Sequence, residues 1–224
     1  MIVLLDNQDS FVYNLVDALH GFRAAESVAP VEPASAAGHE SMVVYRNTVD
    51  ADTVFAANPD LIVLSPGPGY PAEAGCMMEV IQRAQGRIPL LGICLGYQAL
   101  IEHFGGRVMP CGPVHGASIS MQLTDAGVES PLFAGLTEGG VPGEPGRDVP
   151  VARYHSLGAT EVPAGMEALA WTDTQIGDVI MAAQSTDGMS IGLQFHPESI
   201  LTPAGPLILN RCVDQLLQKG TNNG

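Results

Sequence analysis

Cys94 lies in Gly92-Ile93-Cys94-Leu95-Gly96, directly after the apolar run Pro89-Leu90-Leu91 and just before Tyr97-Gln98. An apolar strand that turns through Gly-x-Cys-x-Gly into a helix is a nucleophile elbow, a sharp turn that pushes one side chain out above the sheet. Glycine is needed at 92 and 96 because a side chain at either place would crowd the strained backbone. The helix that follows points its N-terminus at the thiol, and a helix N-terminus favours negative charge, which predicts a larger thiolate fraction. The competing reading is a buried structural cysteine, the common fate of this residue. Core packing alone, however, does not call for glycine on both sides of a strand–helix junction. A thiolate placed this way attacks acyl groups, and it needs a base and a site for the negative oxygen.

Gln194-Phe195-His196-Pro197-Glu198-Ser199 supplies the base at the end of the apolar run Ile191–Phe195. Residues two apart in an extended segment project to the same side, so His196 and Glu198 share a face. Pro197 fixes its own φ and biases His196 towards extended geometry. A carboxylate beside an imidazole holds its tautomer and stabilises the protonated ring. The order nucleophile before histidine is that of elbow enzymes, although here the acid follows the histidine by two residues. Ser65-Pro66-Gly67-Pro68-Gly69 meets the third need. The amides of Gly67 and of Leu95, the residue after the nucleophile, are candidate donors to a tetrahedral oxyanion. Read by itself, that turn is equally an ordinary Pro/Gly loop at a strand end.

These residues must be carried by alternating elements. Ile2–Leu5, Met42–Tyr45, Leu61–Leu64 and Pro89–Ile93 read as short strands. Between them, helices are predicted after Asp9 or Ser10 (with Phe11, Leu15, Ala18 and Leu19 on one stripe) and over 50–57, 76–84 and 95–104. In the last of these Tyr97, Leu100, Ile101 and Phe104 form a stripe that stops at Gly105-Gly106. Such alternation argues for a parallel sheet covered on both faces. The second half changes to short segments near 117–123, 151–155, 166–172, 178–184 and 191–195, and a final helix over 204–218 buries Leu207, Ile208, Cys212 and Leu216. The expected fold class is therefore α/β: a three-layer domain, with a mostly parallel central sheet, helices on both faces, and a small antiparallel portion from the second half. Residues 1–224 read as one domain with no internal repeat. Two stretches, 22–40 and 137–150, look like flexible surface loops; the second holds four glycines and three prolines.

Composition narrows the function classes. Twenty-four acidic against nine basic residues give a formal net charge of −15, a surface that repels phosphate backbones and excludes nucleic acid as an expected partner. Four cysteines at 76, 94, 111 and 212 form no CxxC pair, which suits reduced thiols and a cytoplasmic location better than a secreted disulfide scaffold. Cys111 and His115 lack the second pair that a zinc site needs, so no metal is expected. No stretch approaches the roughly twenty apolar residues of a membrane span, and no membrane association is expected.

Taken together, Ser65–Gly69, Gly92–Gly96 with Gln98, and Gln194–Ser199 resemble the class I, triad-type glutamine amidotransferases. Asp6-Asn7, Asp9-Ser10-Phe11 with Asn14, Tyr45-Arg46-Asn47, Arg153–Leu157 and Ser199–Thr202 are similar in turn to the small (component II) subunits of anthranilate synthase and of its relative, aminodeoxychorismate synthase. The resemblance implies a triad of Cys94, His196 and Glu198. It implies glutamine held by the backbone of Gly67, Pro68 and Gly69, by the Gln98 side chain, and by the main chain at Ser156 and Leu157, beside the oxyanion amide of Leu95. Gln98 lies one helical turn beyond Cys94 and can reach the same pocket. No cofactor is implied in such a protein, and the ammonia it releases implies a chorismate-using synthase partner, anthranilate synthase component I. Two departures stand out. Ala117 follows Val114-His115-Gly116 where these proteins commonly carry lysine, on a segment that resembles one facing the synthase. The stretches 22–40 and 137–150 are also longer than the pattern. Without the resemblance, a stand-alone cysteine amide hydrolase or a non-catalytic binding module on the same fold stays open.

Overall fold

The computed structural model describes residues 1–25, 42–112, 116–141 and 146–222. The unbroken apolar runs form strands: β1 (Ile2–Asp6), β2 (Met42–Arg46), β3 (Leu61–Leu64) and β4 (Leu90–Ile93). Then come β5 (Met109–Pro110), β6 (Ala117–Leu123), β7 (Asp148–Arg153), β8 (Leu157–Gly158), β9 (Met166–Thr174), β10 (Gly177–Ser185) and β11 (Ser190–Leu193). Nine of them make one sheet in the order β2-β1-β3-β4-β11-β10-β9-β6-β7. The first five run parallel. From β11 onward every pairing is antiparallel, so the second half extends the same sheet. β5 and β8 form a separate two-stranded ribbon.

Parallel neighbours require crossovers, and these are α1 (Val12–Ala25), α2 (Ala51–Ala56), α3 (Met77–Ala84) and α4 (Leu95–His103). Strand side chains alternate between faces. Ile2, Leu4, Val63, Leu91 and Ile93 therefore pack against α1 and the long α6 (Gly205–Asn222). Val3, Leu5, Ile62, Leu64 and Leu90 pack against α2, α3 and α4 on the other face. A short α5 (Asp125–Glu129) is capped by the Thr124 hydroxyl, which accepts from the Gly127 amide.

Several elements differ from the sequence expectation in informative ways. α1 starts at Val12 and buries Val12, Leu15 and Leu19, whereas Phe11 lies before the first turn, 60% exposed. α4 is buried almost all round, not along one stripe. Leu95, Ala99 and Leu100 face the sheet, while Tyr97 and Ile101 meet Ala159, Met166, Ile180 and Ala183 from the antiparallel half. α6 buries Ile208, Leu209, Cys212, Val213 and Leu216, with Leu207 turned partly outward. The expected loop at 22–40 begins inside α1, and 26–41 lie outside the described residues. Residues 148–150 of the expected loop at 137–150 belong to β7, because Ser120 and Gln122 of β6 pair with Pro150 and Asp148; residues 142–145 lie outside the described residues. All four cysteines are free, and no helix among the described residues is long and apolar enough to cross a membrane.

Candidate active site

β1, β3, β4 and β11 are parallel, so the segments leaving their carboxyl ends emerge on one edge of the sheet. They meet around a cavity of about 690 Å³. The strand order reverses between β1 and β3, the kind of switch point at which parallel sheets open a crevice.

Cys94 is the hinge between β4 and α4, with φ 50° and ψ −99°. A non-glycine residue in this region stores strain and persists only where its surroundings hold it. The Cys94 amide donates to the Leu193 carbonyl at 2.8 Å, and its carbonyl accepts the first helical bond from the Gln98 amide at 3.0 Å. The flanking glycines follow from close approach. A Cβ on Gly92 would lie 2.6 Å from the Gly96 carbonyl, and one on Gly96 would lie 2.3 Å from the Leu64 oxygen.

His196 and Glu198 follow β11. Nδ1 of His196 donates to Glu198 Oε1 at 2.6 Å, and the ring shares the cavity lining with the Cys94 thiol, close enough to interact with it electrostatically. The His196 main chain is pinned by Thr202, whose hydroxyl donates to the His196 carbonyl at 2.8 Å while accepting from the Ala152 amide at 2.9 Å. Tyr154 packs edge-on to the imidazole, ring centres 5.0 Å apart. Burial by itself would lower the His196 pKa, but the neighbouring Cys94 sulfur and the Glu198 carboxylate outweigh it and push it up to about 11. The ring is therefore poised as a cation between two potential anions.

The turn after β3 is held from β1. The Asn7 amide donates to the Ser65 hydroxyl at 2.8 Å, and Asn7 Nδ2 donates to the Ser65 carbonyl at 2.8 Å. Gly67 passes so close to Asn7 that a Cβ would lie 2.4 Å from its carbonyl oxygen. Gly67, Pro68, Gly69, Gln98, Ser156 and Leu157 all line the cavity with Cys94, His196 and Glu198. Leu95 contributes no side chain to the lining; what it offers is the first N–H of α4, which a helix leaves without an internal partner. Opposite, Gln98 Nε2 donates to the Leu157 carbonyl at 3.0 Å and the Cys111 amide to the Ser156 carbonyl at 2.8 Å, fixing that segment.

On the cavity wall and directly behind it stand residues to which the sequence pattern assigns no role. Asp9 is raised in pKa by burial, with the His196 charge opposing. His155 donates from Nδ1 to the Leu157 carbonyl at 2.7 Å, and burial together with the nearby Arg153 charge lowers its pKa to about 3, so it is neutral. Gln194, fully buried, donates from Nε2 to Cys94 Sγ at 3.6 Å. Tyr154 and His155 stand in the Arg153–Leu157 segment and Gln194 in the Gln194–Ser199 segment, so the motifs contained them, but no local spacing marked them. Cys111, raised in pKa by burial, lies against Arg153 and His155; His115 is outside the described residues.

A thiol on a strand–helix elbow, an imidazole–carboxylate pair and a glycine turn meet on one sheet edge of an α/β fold, an arrangement able to attack an acyl carbon through sulfur. The family model Glutamine amidotransferase class-I matches residues 3–216, and the chain belongs to that family. It is 60% identical over 219 residues to the anthranilate synthase component 2 of Corynebacterium glutamicum, covering 96% of this chain and 98% of that protein. To anthranilate synthase component 2 of Vibrio parahaemolyticus it is 38% identical over 223 residues, covering 97% of each. Among solved structures, a Thermoplasma acidophilum protein provisionally named as part of a GMP synthase superimposes with a TM-score of 0.72 at 19% identity, over 97% of this chain and 94% of that one. That last likeness speaks for the fold alone.

Proposed function

We propose that this chain is the glutamine amidotransferase subunit of an anthranilate synthase, hydrolysing L-glutamine and passing the ammonia to a chorismate-using component I in tryptophan biosynthesis. The kinship to component 2 proteins over nearly the full length supports the assignment. The observation that carries the chemistry is that the Cys94 thiol shares a cavity with an imidazole held at 2.6 Å by Glu198, the cavity that Gly67–Gly69 and Gln98 line.

In this reading Cys94 attacks the side-chain amide carbon of glutamine, and the oxygen, now negative, is met by the amides of Gly67 and Leu95. The carbon–nitrogen bond breaks as His196 gives its proton to the departing ammonia. The ring then takes a proton from water, whose oxygen attacks the γ-glutamyl thioester and expels the thiolate with glutamate as the acid product. Glu198 holds the ring throughout. Gln98, Ser156 and Leu157 hold the amino-acid end of glutamine, and no metal or organic cofactor takes part. The whole chain serves as one amidotransferase domain in a cytoplasmic complex.

Ammonia released to water is lost as ammonium, so hydrolysis is expected to be slow in isolation and to rise on assembly. The test is reconstitution with component I, chorismate and glutamine, reading anthranilate fluorescence and glutamate together. Cys94→Ala should abolish the glutamine-dependent product while leaving the product made from added ammonium. Production of aminodeoxychorismate with its own synthase instead of anthranilate would overturn the assignment of partner, and undiminished glutamate release by Cys94→Ala would overturn the chemistry.

A further inference from the structure

One backbone oxygen sets the direction of a chain of side-chain amides that ends on the nucleophile. The Leu157 carbonyl can only accept, so the groups facing it must donate: His155 from Nδ1 at 2.7 Å and Gln98 from Nε2 at 3.0 Å. That fixes which end of the Gln98 amide is nitrogen. The same Nε2 lies 3.2 Å from the Gln194 side chain, which must therefore present its oxygen, leaving the Gln194 nitrogen to face Cys94 Sγ at 3.6 Å. Each glutamine is almost completely buried, so water does not compete for these bonds. The neutral state of His155 keeps the first member of the chain fixed. The placement of Gln194 comes from the sheet: β11 and β4 pair in parallel with Leu193 opposite Ile93, so the next residues, Gln194 and Cys94, leave their strands side by side.

We propose that Gln194 is a positioning residue for Cys94: its side-chain N–H donates to the sulfur and stabilises the thiolate, and Gln98 prevents the amide from flipping to present oxygen instead. An N–H aimed at sulfur favours the anion, and a carbonyl oxygen in its place would repel it. Because Gln98 and Leu157 also line the cavity, the seat of the substrate and the nucleophile belong to one hydrogen-bonded unit. The role in catalysis rests on the glutaminase reading; the effect on the sulfur does not.

Alkylation of Cys94 by iodoacetamide tests this without glutamine. Rates are measured against pH for the full-length protein, with Cys94→Ala as the blank for the other three thiols. The charged and titratable groups that bear on the sulfur are His196, with Glu198 and Asp9 beyond it, and Cys111 with Arg153 and His155. All are kept in the variants. Gln194→Met, nearly the same length with no donor, should move the midpoint of the rate–pH profile up by about one unit, the size expected for losing a hydrogen bond to a charged acceptor. Gln98→Met should move it in the same direction by less. The double variant should move it no further than Gln194→Met alone, since Gln98 acts on the sulfur through Gln194. A folded Gln194→Met protein with the parental midpoint would overturn the proposal, and so would additive shifts. If Gln194→Met fails to melt cooperatively, Gln98→Met carries the test, and a parental midpoint there overturns it. Shifted alkylation in a protein that never hydrolyses glutamine would leave this role standing while removing the proposed function.

Discussion

His196 Nδ1 and Glu198 Oε1 stand 2.6 Å apart although only one residue separates them in the chain. The pair closes across a turn, not along the extended backbone that the sequence suggested: the Ser199 amide donates to the His196 carbonyl at 3.2 Å, with Pro197 and Glu198 at the corner. The carboxylate then leaves the imidazole no freedom about its tautomer. With Cys94 it also keeps the ring protonated far above the ordinary range, at about 11. Glu198→Gln removes the charge and keeps the shape. The expected result is a fall in glutaminase kcat of about a hundredfold or more with KM for glutamine little changed. The ring Cε1–H resonance, flat in the parent from about pH 6 to pH 9, should acquire a titration in that window. Proton NMR of the parent and variant checks the second point independently of turnover.

The elbow is maintained by two contacts with no slack. A methyl on Gly96 would meet the Leu64 carbonyl at 2.3 Å and one on Gly92 the Gly96 backbone at 2.6 Å. In both cases the obstruction is main chain in a buried sheet, which cannot swing away. Gly96→Ala is expected to cost about 3 kcal/mol in urea unfolding with an unchanged m-value, and Gly92→Ala a comparable amount. A change below about 0.5 kcal/mol, the range of neutral surface substitutions, would show that β4 and α4 can separate freely.

How much of this was legible in the sequence depends on where each contact originates. Gly92, Cys94, Gly96, and His196 with Glu198, are local patterns, and the physics that joins them acts within five residues. The parallel half was equally legible, because Ile2–Leu5 and Leu61–Leu64 are apolar without alternation, as strands buried on both faces must be. Gln194 could not be read this way. Its nearness to Cys94 follows from the β4–β11 register, a pairing across a hundred residues that no local spacing encodes. Phe11 failed for a different reason: helical periodicity gives a stripe but not the residue where the helix starts, and α1 starts one position later. The four-strand extension was visible as short alternating segments, while their order, with β6 inserted between β9 and β7, was not.

Thr202 connects two strands' worth of main chain to the base. Its hydroxyl donates to the His196 carbonyl and accepts from the Ala152 amide, and it is 1% exposed. Thr202→Val keeps the shape, strips the Ala152 amide of its bond and leaves the His196 carbonyl with only the Ser199 amide, at an expected cost of about 2 kcal/mol. Since the His196 backbone loses a restraint, kcat for glutamine hydrolysis should fall as well. Thr202→Ser, which keeps the hydroxyl, should recover most of both losses. Chemical denaturation and steady-state kinetics on the pair separate this from a loss of methyl packing, for which serine would be the worse variant.

The two histidines of the site link folding to pH with opposite signs. The folded pKa of His196 is raised from 6.5 to about 11, so its contribution to stability is complete below the unfolded value and is lost as pH climbs towards the folded one. The folded pKa of His155 is depressed from 6.5 to about 3, chiefly by burial, so the unfolded chain takes up its proton first. Stability from that group is present above pH 6.5 and declines as pH falls towards 3, at up to about 1.4 kcal/mol per pH unit. His155→Asn, whose amide can still donate to the Leu157 carbonyl, removes the titration and keeps the bond. The thermal midpoint of the parent should therefore fall more steeply than that of His155→Asn between about pH 6 and pH 4. Above about pH 7 the two curves should run parallel, because His196 governs both. Parallel curves on the acid side would mean that His155 accepts a proton in the folded protein. The Leu157 carbonyl would then not be held by a neutral ring.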